Sequence, residues 1–307
     1  MNNKEKIITK EELVKDLKGL GIKQGDLLNL KVSLKSIGKV ENGANTLIEA
    51  ALEVVGEEGT LVSDAFVEVH KMPLKKKALD YISKSDSPSY AGALANAMIK
   101  HPKSFRSLHP IQKFVAIGQF AEKLMYAHKP EAFAYDVLRK MAEQGGKNLK
   151  VGSDKKVPGV GTTHIAICDL GFIQEREKQG VYYETEIGEV KEFERKWVGG
   201  CGFGFSNLMP YYGEAGAVLA EGRIGNASGK LTDMGKTLAV EKEVLKEKPE
   251  LILCNSPSCY DCRVSWSFSP LTEIGFAFNN LKKGNLRKFI ATLSLMKRRK
   301  IYQGSGL

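Results

Sequence analysis

The 307-residue chain has no run of about 18 apolar residues, which excludes a membrane-spanning helix. Its opening, Met1-Asn2-Asn3-Lys4-Glu5-Lys6, is polar and leads into Glu11-Glu12-Leu13-Val14. No apolar secretory core stands there, so a cytoplasmic location is expected. Cysteine is scarce and odd in number: Cys168, Cys201, Cys254, Cys259 and Cys262. That count, in that compartment, disfavours a disulfide framework. The sequence also lacks RNP, zinc-finger, homeodomain and basic-zipper patterns, and it carries no internal repeat. Neither a membrane nor nucleic acid is therefore an expected partner.

What is present is a folded, basic protein. Hydrophobic residues make up 42% and charged residues 27%, which argues against disorder. The length suits one large domain or two modest ones. Lys and Arg total 46 against 36 Asp and Glu, a net charge of +10. The densest basic runs, Lys75-Lys76-Lys77 and Lys297-Arg298-Arg299-Lys300, read as solvated faces. A diffuse positive field also suits a phosphate-rich cofactor.

Hydrophobic periodicity sets out an alternation of helices and strands. Thr9 with Glu12 reads as a capping box opening a helix to about residue 20. Residues 26–32 read as a strand, followed by a polar turn over 33–38. Apolar residues at Leu47, Ile48, Ala51, Leu52 and Val55 predict a helix over 46–55, and 60–63 is a second strand. This βαβ order implies a partly parallel sheet. Further helices are expected over 90–100, 121–127, 163–170, 238–247 and 281–299. Strands are expected over 114–118, 149–151 and 251–253, and a charged hairpin over 181–195. Gly199-Gly200-Cys201-Gly202-Phe203-Gly204 is a glycine-rich loop.

Several segments, in order, resemble the aminoglycoside 3-N-acetyltransferase family. They are Val32-Ser33-Leu34-Lys35-Ser36-Ile37-Gly38, Gly43-Ala44-Asn45-Thr46-Leu47, Gly59-Thr60-Leu61-Val62, Pro88-Ser89-Tyr90-Ala91-Gly92-Ala93-Leu94, Arg106-Ser107-Leu108-His109-Pro110, and Gly225-Asn226-Ala227 through Leu231. The resemblance spans about residues 10–245. It implies an α/β/α sandwich with a mixed, partly parallel sheet, and acetyl transfer from acetyl-CoA to an amine of an amino-sugar or aminoglycoside-like acceptor. Such chemistry needs a base for the amine proton and fixed donors for the thioester oxygen. The resemblance implies Ser33, Lys35, Ser36, Arg106 and Ser107 at CoA. It also implies His109 or His164 as base, Asp169 as its orienter and Thr163 as oxyanion donor. A protein of this net charge is a poor match for polycationic drugs, which favours an amino-sugar acceptor.

The sequence departs from the family pattern in two places. The family carries Thr-x-x-His-x-x-Glu on a helix. With Thr163 as the motif threonine, the His position is Ala166 and the Glu position is Asp169. His164 comes two residues early, about 200° around a helix, and so faces away from position 166. Where many members carry a second His after the His-Pro pair, this chain has Gln112.

Residues past about 250 lie outside the resemblance and form an expected extension, 251–307, packed on a domain of 1–250. The extension opens with Cys254-Asn255-Ser256-Pro257-Ser258-Cys259-Tyr260-Asp261-Cys262, a spacing that suits zinc or an iron–sulfur cluster. Cys201 is the expected fourth ligand, with His109 or His164 as substitutes. Reduced structural or reactive thiols are the reading the spacing favours over a metal, and Trp266 and Phe268 are expected to pack nearby. These features open a second reading: a non-catalytic CoA- or metal-binding scaffold descended from the family. A homodimer is among the expected assemblies.

Overall fold

The structure is a computed structural model that describes residues 6–172, 174, 177–196, 199–256, 259–263, 265–266 and 270–302. Phe268 and the side chains of the 297–300 basic run lie outside the described residues. Strands β1 (Leu27–Val32), β2 (Thr60–Asp64), β3 (His70–Lys71), β4 (Ser104–Arg106), β5 (Phe114–Gly118), β6 (Lys147–Val151), β7 (Gln179–Glu184), β8 (Val190–Glu194), β9 (Val218–Ile224) and β10 (Ala227–Asp233) form two sheets. The larger has seven strands in the order β4-β5-β2-β1-β6-β10-β9. Its centre is parallel, β2 and β6 both running with β1. Its flanks are antiparallel. The smaller sheet, β3-β7-β8, contains the expected hairpin.

The helices are α1 (Lys10–Gly19), α2 (Leu34–Ile37), α3 (Ala44–Val55), α4 (Ala93–Lys100), α5 (Ala121–Tyr126), α6 (Asp136–Glu143), α7 (Thr163–Asp169), α8 (Gly202–Phe205), α9 (Met209–Glu214), α10 (Met234–Glu247), α11 (Tyr260–Arg263), α12 (Pro270–Lys282) and α13 (Leu286–Tyr302). Helix α1 starts with the expected capping box: Glu12 N donates to Thr9 Oγ1 and Thr9 N donates to a Glu12 carboxylate oxygen.

Strand alternation divides the core between the two faces of the large sheet. Leu28, Leu30, Leu61, Val115 and Ile117 point to one face, under α1, α3 and α4. Leu27, Val62, Phe114 and Ala116 point to the other, under α5 and α6. The result is the expected α/β/α sandwich with a mixed sheet.

Three local expectations are corrected. The 33–38 turn holds a short helix, α2, because Ser36 N and Ile37 N both close onto Ser33 O. The 251–253 segment is no strand. It leaves a 3₁₀ turn (Pro249–Ile252), and Asn207 Nδ2 takes the carbonyls of Leu251 and Leu253 at 2.9 and 3.0 Å, so their ladder partners are replaced. The C-terminal helix is two helices, broken at Gly284, whose φ of +70° ends α12.

Candidate active site

The polar residues of interest begin with two that alternation places together. Lys31 shares a face of β1 with Leu27 and Asn29, and Asp64 shares a face of β2 with Thr60 and Val62. Asn29 is opposite Val62 in the parallel pair, so Lys31 and Asp64 follow side by side at the carboxyl ends. Ligand sites of open α/β sheets lie at such ends. Burial holds Lys31 below the usual lysine range, with Asp64 opposing the shift. Burial raises Asp64, with Lys31 opposing. Each keeps partial solvent access despite this enclosure, so both line a recess. Lys31 Nζ donates to Pro158 O at 3.1 Å, tying β1 to the segment that leads into α7.

His164 lies in the first turn of α7 and faces this recess. Its ring stacks on Tyr135 with centroids 4.1 Å apart and meets Phe205 edge-on at 4.9 Å. Tyr135 is within electrostatic reach of Arg195, Asp64 and Tyr90. Burial, then the positive charges of Lys31 and Arg195, hold His164 well below the usual histidine range. Its imidazole is therefore neutral at neutral pH and able to accept a proton. His164 does turn away from position 166, as the helical geometry requires. The side it turns to is the recess, whereas Ala166 is fully buried against the core of Val160, Phe205 and Leu208.

The start of α7 is fixed from beneath. Glu241 on α10 is buried, and its Oε1 accepts from Thr162 Oγ1 (3.0 Å), Thr163 Oγ1 (2.6 Å) and the Tyr212 hydroxyl (2.6 Å). Burial pushes Glu241 up to about 7. Thr163 thus orients α7, its hydroxyl proton being committed to Glu241. Asp169, at the far end of α7, accepts two hydrogen bonds from Arg139 at 3.0 and 2.7 Å and pairs with Lys242 at 2.5 Å. Those contacts hold it below the usual carboxylate range.

The segment around His109 is a brace. Arg106 is buried and donates to the carbonyls of Ala65, Ser85 and Ser87. Ser107 Oγ accepts from Phe114 N at 2.9 Å, and Ser107 O accepts from Lys113 Nζ. Both residues thus brace the backbone around β4 and β5. His109 Nδ1 accepts from Ile111 N and Gln112 N, both at 3.1 Å, so its other nitrogen carries the proton. The ring stacks on His128 at 4.8 Å, and burial with that neighbour lowers it to about 2. The Nδ1 lone pair of His109 is thus already engaged by two backbone donors. Gln112 is buried, and with its amide oxygen turned toward Arg195 it accepts from Nε and Nη2 at 2.7 and 2.9 Å. It therefore helps hold one of the cations that surround His164.

Beside the recess, the turn after β1 meets a segment from far along the chain. Ser36 Oγ donates to Ser33 Oγ at 2.8 Å, and Lys35 is exposed. Asn226 N donates to Ile37 O at 2.9 Å. A Cβ on Gly225 would lie 2.8 Å from Ile37 Cγ2, so a larger residue could not make this approach. The 33–38 and 225–227 segments, far apart in the sequence, form one wall. Lys31, Asp64, Tyr135 and Arg195 were not anticipated. The signal for the first two was a charge at the carboxyl end of each of two parallel strands.

The four expected metal ligands also converge. The Sγ atoms of Cys201, Cys254, Cys259 and Cys262 lie within 4.8 Å of one another. Trp266 is buried in the same cluster.

Comparison with known proteins matches most of the chain to a family. The family described as aminoglycoside 3-N-acetyltransferase matches residues 30–246. Aminoglycoside N(3)-acetyltransferase III of Serratia marcescens is 30% identical over 160 residues, covering 47% of this chain and 59% of that protein. The chain spans about half the length of the curated relatives it matches, from 46% to 59% for three of them. Among solved structures, AAC-IIIb in a binary complex with CoASH superposes with a TM-score of 0.68 at 23% identity, covering 79% of this chain and 98% of that one. AAC-VIa bound to sisomicin gives 0.64 at 21% identity, covering 79% and 99%. At such identities the solved structures establish the shared fold.

Proposed function

The chain belongs to the aminoglycoside 3-N-acetyltransferase family, and from that premise we propose that it transfers acetyl from acetyl-CoA to an amine of an amino-sugar or aminoglycoside-like acceptor. The observation that carries the reading is His164. It is a neutral imidazole within electrostatic reach of Lys31 and stacked on Tyr135, whose own neighbours include Asp64 at the carboxyl end of β2. In the proposed reaction the acceptor nitrogen attacks the thioester carbonyl. His164 takes the proton from that nitrogen as the new bond forms. The tetrahedral intermediate then expels the sulfur of CoA, which leaves with the proton held on His164. Lys31 supplies positive charge near the developing oxyanion. Asp64 holds the acceptor. The wall built by Ser33, Lys35 and Ser36 receives CoA.

The balance of charge bears on the acceptor. Asp64 and Glu68 near Tyr90 are opposed by Lys31 and Arg195 around Tyr135 and His164. Without a surplus of negative charge among its described residues, the recess favours an acceptor with few amines over a polycationic drug.

Calorimetric titration with acetyl-CoA, with free adenosine as control, tests the cofactor. Micromolar binding is expected. No detectable heat at millimolar acetyl-CoA would refute the reading. An amine-acceptor screen with the wild type and His164→Ala then tests the chemistry.

A further inference from the structure

We propose that Cys201, Cys254, Cys259 and Cys262 bind a single zinc ion in a closed four-thiolate site that ties the glycine-rich loop to the C-terminal segment. The spacing of the sulfurs is the first argument. A tetrahedral ion with Zn–S bonds of about 2.3 Å sets its sulfurs about 3.8 Å apart. Four sulfurs already within 4.8 Å of one another need only a small contraction. An iron–sulfur cluster spreads its thiolates over several metals and demands a wider frame.

The second argument is enclosure. Cys254 and Cys262 are buried and the other two half-buried. A site closed by four protein ligands is the structural kind, with no open position for substrate. The backbone supports both sides of the site: Cys254 N donates to Cys262 Sγ at 3.1 Å, and Gly204 N donates to Cys201 O at 2.9 Å, which fixes the turn that carries Cys201. Such bonds orient ligands and spread their charge. Arg263 braces the segment from outside, its Nε donating to Ser256 O at 3.1 Å and its Nη2 to Cys254 O. On binding, each thiol gives its proton to solvent and a Zn–S bond replaces each S–H bond.

The site would act on the loop. Cys201 directly follows Gly199 and Gly200. A Cβ on Gly199 would lie 2.7 Å from His164 Cε1, and one on Gly200 would lie 2.9 Å from Phe205 Cζ and 3.1 Å from Trp266 Cζ2. An ion at Cys201 therefore fixes the loop that closes over His164. This consequence rests on the proposed role of His164, whereas the metal content does not.

The test is elemental analysis of the full chain, purified under anaerobic reducing conditions without a metal-affinity resin. About one zinc per chain is expected. Cys259→Ser and Cys201→Ser should each lower it well below that value. Should a variant fail to fold, cobalt substitution of the wild type reads the ligand set, with intense visible bands expected from tetrahedral thiolate ligation. Less than about 0.2 metal per chain overturns the site. Iron accompanied by acid-labile sulfide overturns it in favour of a cluster, and cobalt spectra without thiolate bands overturn the ligand set. These readouts stand even if acetyl transfer is never detected.

Discussion

Gly199→Ala is a small change with a calculable consequence. The added Cβ would sit 2.7 Å from His164 Cε1, 3.0 Å from its Nδ1 and 3.2 Å from the Tyr135 hydroxyl. Carbon atoms in ordinary contact are about 3.5–4.0 Å apart, so His164 must withdraw by about 1 Å. Its ring is confined by Tyr135 at 4.1 Å and Phe205 at 4.9 Å, and the retreat displaces them too. Overpacking of this kind costs about 1–3 kcal/mol of stability. A base misplaced by about 1 Å loses roughly 10² in rate. The assay is acceptor-dependent release of CoA thiol, with a melting curve on the same sample. We expect kcat down about 10²-fold, a Tm lower by a few degrees and near-normal acetyl-CoA binding. Gly19→Ala is the control, because its Cβ would meet nothing within 4 Å. A Gly199→Ala enzyme with full turnover and unchanged Tm would refute the packing of this loop on His164.

Other expectations follow from the same geometry. His109→Ala removes the acceptor of two buried N–H groups, each worth about 1–3 kcal/mol, and should lower Tm sharply while the folded fraction keeps most of its kcat. An unchanged Tm with a large loss of kcat would contradict this. Glu241 keeps its proton to about pH 7 in the fold but ionises near 4.5 when unfolded. The native state therefore binds more protons between those values, and stability from this group falls as pH rises through that window, by about 3 kcal/mol in all. Glu241→Gln should remove that slope in urea melts at pH 5 and 8; identical slopes would exclude the assignment. Lys35→Glu should weaken acetyl-CoA binding about tenfold with the fold intact, measured calorimetrically. Unchanged affinity would remove Lys35 from the cofactor wall.

Much of the fold could be read from periodicity, because its elements bury one regular face. The β1–α3–β2 unit shows this best: the alternation of β1 and β2 and the apolar stripe of α3 both report burial on the sheet. The 251–253 segment was misread because a short apolar run looks alike in a strand and in a 3₁₀ turn, and only Asn207, distant in sequence, decides between them. The four-cysteine cluster was legible because thiols at short spacing have few uses. Catalytic geometry was harder. The register of the α7 motif depends on where the helix starts, and that is set by Glu241 reaching Thr162 and Thr163 across the fold. Arg106, Ser107 and His109 carried the strongest local resemblance, yet their polar atoms serve the backbone. A motif preserves bracing residues as readily as reacting ones.

The most direct measurement compares wild type with His164→Ala in acceptor-dependent release of CoA thiol from acetyl-CoA, across a panel of amino-sugars. The account predicts turnover in the wild type and a loss of about 10²–10⁴ in the variant, with acetyl-CoA still bound. Equal rates in the two proteins, or thiol release that no amine stimulates, would contradict it.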